Sequence, residues 1–150
     1  MILATKVFGM PALRDPLLIH KATYIAQKLF GLRLGYRFAW LSSGPYSRSL
    51  SKELTTTGIP CQCNIKNNIE EISAKITNLL ARVCKCTDLS PDEALDVIAG
   101  IVMLSTDVYP VPSDVVGELK RRKPSLRREV IDSVVKTLLP HLRVSKQITR

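Results

Sequence analysis

The residue types most able to do chemistry in this chain are four cysteines, which form two close pairs. Cys61 lies two positions from Cys63, and Cys84 two positions from Cys86. Four thiolates can close a tetrahedral zinc site, but zinc-binding pairs usually leave two to four residues between their ligands. Only one residue separates each pair here. The other interpretations are a disulfide within or between the pairs, or ordinary half-buried thiols.

The segment between the two pairs argues more strongly against one shared metal site. Apolar residues recur there every three to four positions, which predicts an amphipathic helix over 67–83: Ile69, Ile72, Ile76, Leu79, Leu80 and Val83. A helix rises about 1.5 Å per residue, so a continuous one would hold the pairs about 25 Å apart. We therefore expect no metal site and no cofactor.

Catalytic arrangements are also absent from the sequence pattern. The two histidines, His20 and His141, have no nucleophile and carboxylate at a motif-like spacing. The chain contains neither a phosphate-binding loop with its following lysine nor a dinucleotide-binding fingerprint. These observations favour a protein that binds a partner over an enzyme.

The first element that could position functional residues is a helix beginning after Asp15. Asp15 is a suitable N-cap, and Pro16 suits the first helical position because its missing N–H has no partner there in any case. One face is apolar, and Gly31 offers the left-handed conformation that ends many helices. The apolar face consists of Leu18, Ala22, Ile25 and Leu29.

An aromatic strand is predicted next. Tyr36, Phe38 and Trp40 are spaced by two, with Arg37 and Ala39 between them, which is typical of a half-buried strand. The tyrosine and the tryptophan suit a partner surface, and they are equally suited to packing within the domain.

A turn and a short helix follow this strand. Gly44 and Pro45 reverse the chain, and we expect a positive φ angle at Gly44. Ser47 is the predicted N-cap of a helix that carries Leu50 and Leu54 on one side.

Three further helices are predicted in the second half of the chain. Ser90, Pro91 and Glu93 form a capping-box start for a helix that runs to about Ser105. Ser113 is the expected cap of a short helix ending near Lys123, before Pro124. Ser125 is the expected cap of the last helix, whose inward-facing residues before Pro140 are predicted to be Val130, Val134, Val135, Leu138 and Leu139. Gly100 and Gly117 are expected to be helix-packing glycines.

These elements predict a mainly α fold. We expect a single domain over residues 1–150, a bundle of about six helices with a small β element near residues 34–42, as in winged-helix proteins. Residues 1–14 are weakly patterned, and the polar tail over 143–150 is expected to be flexible. At 150 residues, with 45% hydrophobic and 23% charged residues, the chain can bury a sizeable core.

No membrane segment or secretory signal is expected. The most apolar run, from Ala94 to Leu104, is interrupted by Asp96 and is shorter than the roughly 20 residues that cross a bilayer. The N-terminus lacks a charged region followed by a long apolar stretch. We therefore expect a cytoplasmic protein without a membrane partner.

Charge is distributed unevenly along the chain, whose net charge is +9. Residues 87–117, the acidic stretch, hold six acidic residues and no Lys or Arg, whereas residues 118–150 hold ten basic and three acidic residues. The densest part, the basic cluster, comprises Lys120, Arg121, Arg122, Lys123, Arg127 and Arg128. Such a cluster could bind the phosphates of DNA or RNA. Alternatively it faces the acidic stretch, either of its own chain or of a second subunit in a homo-oligomer, in ion-pair networks of the kind common in proteins of thermophiles.

Several segments together carry a family resemblance. They are KATYIAQKL, GYRFAW and GPYSRSLSKEL, followed by LDVIAGIVML and ELKRRKPSLRREVIDSVVKTL. In these segments the chain resembles the YwgA-like proteins and, more remotely, the SocA-like antitoxins grouped as the Panacea domain. The Tyr46-Ser47 pair after Gly44-Pro45 favours the YwgA-like group. The resemblance implies binding of a protein partner, such as a toxin.

Two hypotheses for function follow. The first is a non-catalytic protein-interaction module, possessing antitoxin-like activity, that binds through the aromatic strand and the turn, because exposed aromatic residues often dominate interfaces. Its expected binding residues are Tyr36, Trp40, Gly44, Pro45, Tyr46 and Ser47. The alternative is a winged-helix-like nucleic-acid-binding protein that uses the basic cluster.

Overall fold

The computed structural model describes residues 15–32, 34–41, 44–56, 66–107 and 113–148. Within them the chain is mainly helical with one small antiparallel sheet, as the sequence predicts. The elements are α1 (Pro16–Phe30), β1 (Ala39–Leu41), β2 (Gly44–Tyr46), α2 (Arg48–Thr56), α3 (Lys66–Cys86), α4 (Pro91–Thr106), α5 (Val115–Arg122) and α6 (Arg128–Ile148). Residues 1–14, Cys61 and Cys63 lie outside the described residues.

Helix α4 forms the centre of the bundle. It begins with the predicted capping box, in which Ser90 and Glu93 satisfy each other's backbone N–H groups. From Ala94 to Leu104 every residue is buried except Asp96, which is partly exposed. A helix that is apolar on all sides has to be surrounded, and α4 packs against α1, α3, α5, α6 and β2.

Helix α1 lies along α4 and begins and ends as the sequence predicts. Asp15 accepts a hydrogen bond from the N–H of Leu17, and Gly31 has a φ angle of 70°. At the far end of α4, the Tyr24 hydroxyl donates to Asp107 at 2.5 Å and Lys28 pairs with the same carboxylate at 2.7 Å. Burial and the Asp107 carboxylate raise the pKa of Tyr24, so the hydroxyl keeps its proton. These contacts fix α1 to the end of α4.

Strands β1 and β2 form a hairpin that packs on α1 and α4 through β2. The strand begins later than predicted, because Tyr36 and Phe38 precede β1, and the prediction that Gly44 and Pro45 form the turn is wrong, because they belong to β2. The register places Ala39 opposite Tyr46 and Leu41 opposite Gly44. Gly44 has a φ angle of 113°, which confirms the expected positive angle; few residues other than glycine adopt it. Ser47 then caps α2 by accepting from the N–H of Leu50, which is buried. The side chain of Leu54 lies outside the described residues.

Helix α3 is continuous over 21 residues, as the apolar repeat predicts. Its buried residues are Ile72, Ile76, Leu79, Leu80 and Val83, whereas the side chain of Ile69 lies outside the described residues. The unbroken helix confirms the continuous helical segment predicted before Cys84.

The last two helices depart from the sequence prediction at their starts. Asp114, not Ser113, caps α5, because its carboxylate reaches the N–H of Gly117 at 3.0 Å. Gly117 is therefore needed beside this cap, where a Cβ atom would lie 2.3 Å from the carboxylate, and is not a helix-packing glycine. Helix α6 begins at Arg128, so the prediction of Ser125 as its cap is wrong.

Helix α6 also differs from the prediction near Pro140. It continues through Pro140 to Ile148, so the backbone over part of the expected tail is helical. Leu139, predicted to face inward, is exposed, whereas Ile131 is fully buried and was not predicted. No helix among the described residues is long and apolar enough to cross a membrane.

Candidate functional site

The inward side of the hairpin is attached to α1 by His20. Its Nδ1 atom accepts a hydrogen bond from the backbone N–H of Ser47 at 3.1 Å, and its ring stacks on Tyr46 with centroids 4.6 Å apart. Phe38 contacts the same imidazole edge-on. Burial lowers the pKa of His20, so the ring is neutral and can act as this acceptor. His20 is thus a buried anchor for the end of β2.

Tyr36 is held by both its backbone and its hydroxyl. Its N–H donates to the Gln27 side chain at 3.1 Å, and its carbonyl accepts from the same amide at 3.0 Å. The hydroxyl donates to Glu53 on α2. Burial, with Glu53 as a second cause, raises the pKa of Tyr36. The segment that leads into β1 is therefore fixed to α1 and α2.

Trp40 fills the space between the hairpin, α4 and α5. The Arg122 guanidinium lies over its indole ring, 4.9 Å from the centroid, in a cation–π contact. Gly100 permits this packing: a Cβ atom there would lie 3.0 Å from a Leu119 methyl and 3.5 Å from Trp40. Gly100 is therefore the helix-packing glycine that the sequence predicted.

The predicted partner-binding residues thus lie together, but mainly on the inward side. Gly44, Pro45 and Ser47 are buried, while Tyr36, Trp40 and Tyr46 are half-buried. The residues that point outward alternate with the aromatic ones, namely Arg37, Ala39 and Leu41. The sequence could have predicted them, since alternate residues of an extended chain face opposite sides and the aromatic residues are spaced by two. We call Arg37, Ala39 and Leu41 the hairpin face.

The basic cluster is largely paired within the chain. Lys120 donates to the carbonyls of Pro124 and Leu126, which closes the turn after α5. Arg121 and Arg122 both bind Glu118, at 2.6 and 2.9 Å, and lower its pKa.

Members of the cluster also pair with the acidic stretch. Lys123 binds Asp96 at 2.5 Å, Arg127 binds Asp88 at 3.0 Å, and Arg128 binds Asp114 at 3.4 Å. The pKa of Asp114 is lowered mainly by its hydrogen bond from Gly117 and secondly by Arg128. Of the alternatives that the sequence left open, the contact with the acidic stretch of the same chain is the one present here.

Exposure divides the cluster in two. Arg121, Arg127 and Arg128 have side chains that are 61–74% exposed, and exposed ion pairs contribute little to stability. Lys123 is only 18% exposed and joins a different arrangement, in which Asp96 binds Lys21 at 3.1 Å as well as Lys123. We call Lys21, Asp96 and Lys123 the Asp96 ion cluster. Its three side chains are 12–25% exposed, and a Cβ atom on Gly44 would lie 3.7 Å from Asp96.

Among the described residues, no group of three or more His, Cys, Asp or Glu residues could hold a metal ion. Cys84 is half-buried and Cys86 exposed, both as free thiols. Burial raises the pKa of Cys84, which disfavours the reactive thiolate.

Comparisons of the chain with protein-family models, with curated proteins and with solved structures find no match. The function therefore has to be argued from the geometry of the chain itself.

We expect the free energy of unfolding to fall as the pH decreases from about 7 to about 5. The pKa of His20 is lowered from 6.5 by burial, and that of His141 by burial and by Arg82, so the unfolded chain binds more protons in this range. Asn offers an acceptor that does not protonate. His20→Asn and His141→Asn should each reduce the pH dependence in denaturant titrations. An unchanged pH dependence in His20→Asn would contradict this role of His20.

We expect Asp96→Asn to lower the free energy of unfolding by about 1–3 kcal/mol, because two partly buried lysines lose their shared counter-ion. Asp88→Asn is the matched control, since it removes one carboxylate from an exposed pair with Arg127 and should cost less than about 1 kcal/mol. Denaturant titration of both variants measures the difference. Equal losses would show that the Asp96 ion cluster contributes no more than a surface pair.

Proposed function

We propose that this chain is a non-catalytic, cytoplasmic protein-interaction module whose partner binds the hairpin face. The observation that supports this most directly is the position of Leu41. It is 45% exposed at the end of β1, in a hairpin that contacts three helices through Trp40 and through Tyr36 and Ser47 on either side of the two strands. A single exposed leucine is common on protein surfaces. A leucine on a restrained backbone is better suited to binding a partner, because less conformational entropy is lost on association.

Rigidity is the property that favours the hairpin face. His20, Gln27, Glu53 and Arg122 restrain the inward side of the segment at separate points. A partner would therefore order few additional groups when it binds, and the entropic cost of association is reduced accordingly. The aromatic residues predicted as contacts serve here as the support for Leu41.

The backbone of β1 also has hydrogen-bonding groups that no second neighbouring strand uses among the described residues. Pro45 has no N–H, so the pairs that exchange hydrogen bonds with β2 must be Ala39 with Tyr46 and Leu41 with Gly44. The N–H and C=O of Trp40 then point away from β2, and the sheet has two strands among the described residues. A partner strand could add at this edge, with main-chain hydrogen bonds supplying affinity.

The chemistry of the hairpin face narrows the class of partner. A partner that complements this face would have an apolar pocket for Leu41 and an acidic group for Arg37. The net charge of +9 would speed association with an acidic protein surface. The resemblance to the YwgA-like and SocA-like proteins supports a protein partner, such as a toxin.

Site-specific cross-linking tests this proposal. A photoreactive residue at position 41 should cross-link one partner in the cells that make the protein, and the same residue at position 139 should not. Leu139 is the matched control because it is 42% exposed, on α6. With the partner purified, Leu41→Asp should weaken binding by at least about tenfold and Leu139→Asp should leave it unchanged. Equal affinities of the two variants would exclude the hairpin face.

A second candidate function, nucleic-acid binding, is favoured by the exposed part of the basic cluster. Arg121, Arg127 and Arg128 form exposed ion pairs, and phosphates could replace the carboxylates at little cost. The contact between Arg122 and Trp40 places the hairpin beside the end of α5, as a wing would lie.

Salt dependence tests this second candidate. If duplex DNA binds, Arg127→Gln with Arg128→Gln should reduce the slope of log affinity against log salt by about two, equally for unrelated sequences. Lys75→Gln with Lys136→Gln removes the same charge from two exposed pairs elsewhere and serves as the control. Absence of salt-sensitive binding by the parent protein, to DNA and to RNA, would eliminate this function.

A further inference from the structure

A cleft of about 380 Å³ lies between α1, α3 and α6, and it shares no residue with the hairpin face or the basic cluster. Its volume is at the lower end of the range of small-molecule sites in proteins. Its floor is apolar and comes from Leu29, Phe30 and Leu79. Leu29 and Leu79 belong to the buried core, and Phe30 is half-buried against it.

The ring of Phe30 is held at a defined angle. His141 on α6 contacts it edge-on, with centroids 5.7 Å apart and planes at 75°. This contact leaves an aromatic surface in the wall of the cleft, where a flat or branched apolar group could pack.

The polar rim of the cleft comes from one side of α3. Lys75, Asn78 and Arg82 are spaced by three and four residues, so they follow one another along the same helix face. The Asn78 amide supplies both a donor and an acceptor. Arg82 is exposed and has no ion-pair partner among the described residues, whereas Lys75 binds Glu71 at 3.5 Å.

The charges around the cleft favour a ligand with a single negative charge. Among the described side chains that line the cleft, Lys75 is offset by Glu71, which leaves Arg82 as the unbalanced cation. His141 adds no charge near neutral pH, because burial and the nearby Arg82 lower its pKa. A guanidinium matches a carboxylate in bidentate geometry.

We propose that the cleft binds a small monocarboxylate with an aromatic or branched apolar body. The carboxylate binds Arg82, with Asn78 as a second hydrogen-bonding group. The apolar body packs against Phe30 and the two leucines of the floor. This site is distinct from the proposed partner surface and does not depend on it.

Naphthylacetate and its uncharged analogue naphthylacetamide are the probes that test the site. In NMR titrations of the whole chain, the acid should bind saturably and shift the side-chain amide signals of Asn78. Arg82→Gln should weaken acid binding by at least about tenfold while leaving amide binding unchanged. Arg48→Gln, which removes an exposed arginine from α2 outside the cleft, should change neither.

A second variant tests the position of the ligand. Asn78 is exposed, so Asn78→Trp should fold normally, fill the cleft and weaken binding of both probes. The proposal is overturned if the parent shows no saturable shifts, if it binds acid and amide equally, or if Arg48→Gln has the effect expected of Arg82→Gln. It is also overturned if a folded Asn78→Trp variant binds both probes as the parent does.

Discussion

One carboxylate, Asp96, joins α1 and the end of α5 to the central helix. It is the charged residue within the otherwise buried part of α4, and burying a charge is costly unless it is paired. The two lysines that pair with it come from α1 and from the end of α5, and Gly44 at the start of β2 lies beside it. A requirement for charge compensation in the central helix thereby brings two other helices together next to the hairpin. The same residue interrupts the apolar run that the sequence displays.

The residues of the hairpin segment fall into two groups: those that pack against the helices and those whose side chains are exposed. The Tyr46 ring stacks on His20 and Trp40 lies under Arg122, while the backbones of Ser47 and Tyr36 bind His20 and Gln27. The alternate residues face outward, so the alternation that predicted a half-buried strand also predicts which side chains are exposed. The basic cluster divides in a similar way. Its more buried members, Lys120 and Lys123, bind the turn after α5 and Asp96, whereas exposed arginines such as Arg127 form weak ion pairs.

Much of the fold could be predicted because its signals are local. Asp15 with Pro16, and Ser90 with Glu93, set helix starts within four residues, and the structure confirms both. The cap of α5 was predicted wrongly because Ser113 and Asp114 are adjacent and both residue types form N-caps. The Asp114 carboxylate is the group that accepts a hydrogen bond from the N–H of Gly117.

Apart from the contact between the basic cluster and the acidic stretch, contacts between residues far apart in sequence could not be predicted. Nothing in the pattern relates His20 to the N–H of Ser47, or Arg82 to His141. Leu139 was misplaced because successive leucines differ by about 100° around a helix, so Leu138 and Leu139 cannot both face the core equally.

The hairpin face and the cleft are connected by α1, yet the structure gives no reason for them to communicate. His20 lies in the first half of α1, and Leu29 and Phe30 lie at its end. Between them, Tyr24 and Lys28 fasten the helix to Asp107 at the end of α4. Coupling between distant sites requires an element with two alternative arrangements. A helix that is fixed to α4 at this point has a single arrangement. A ligand in the cleft should therefore leave the affinity for a partner unchanged, which makes the two surfaces separable by mutation.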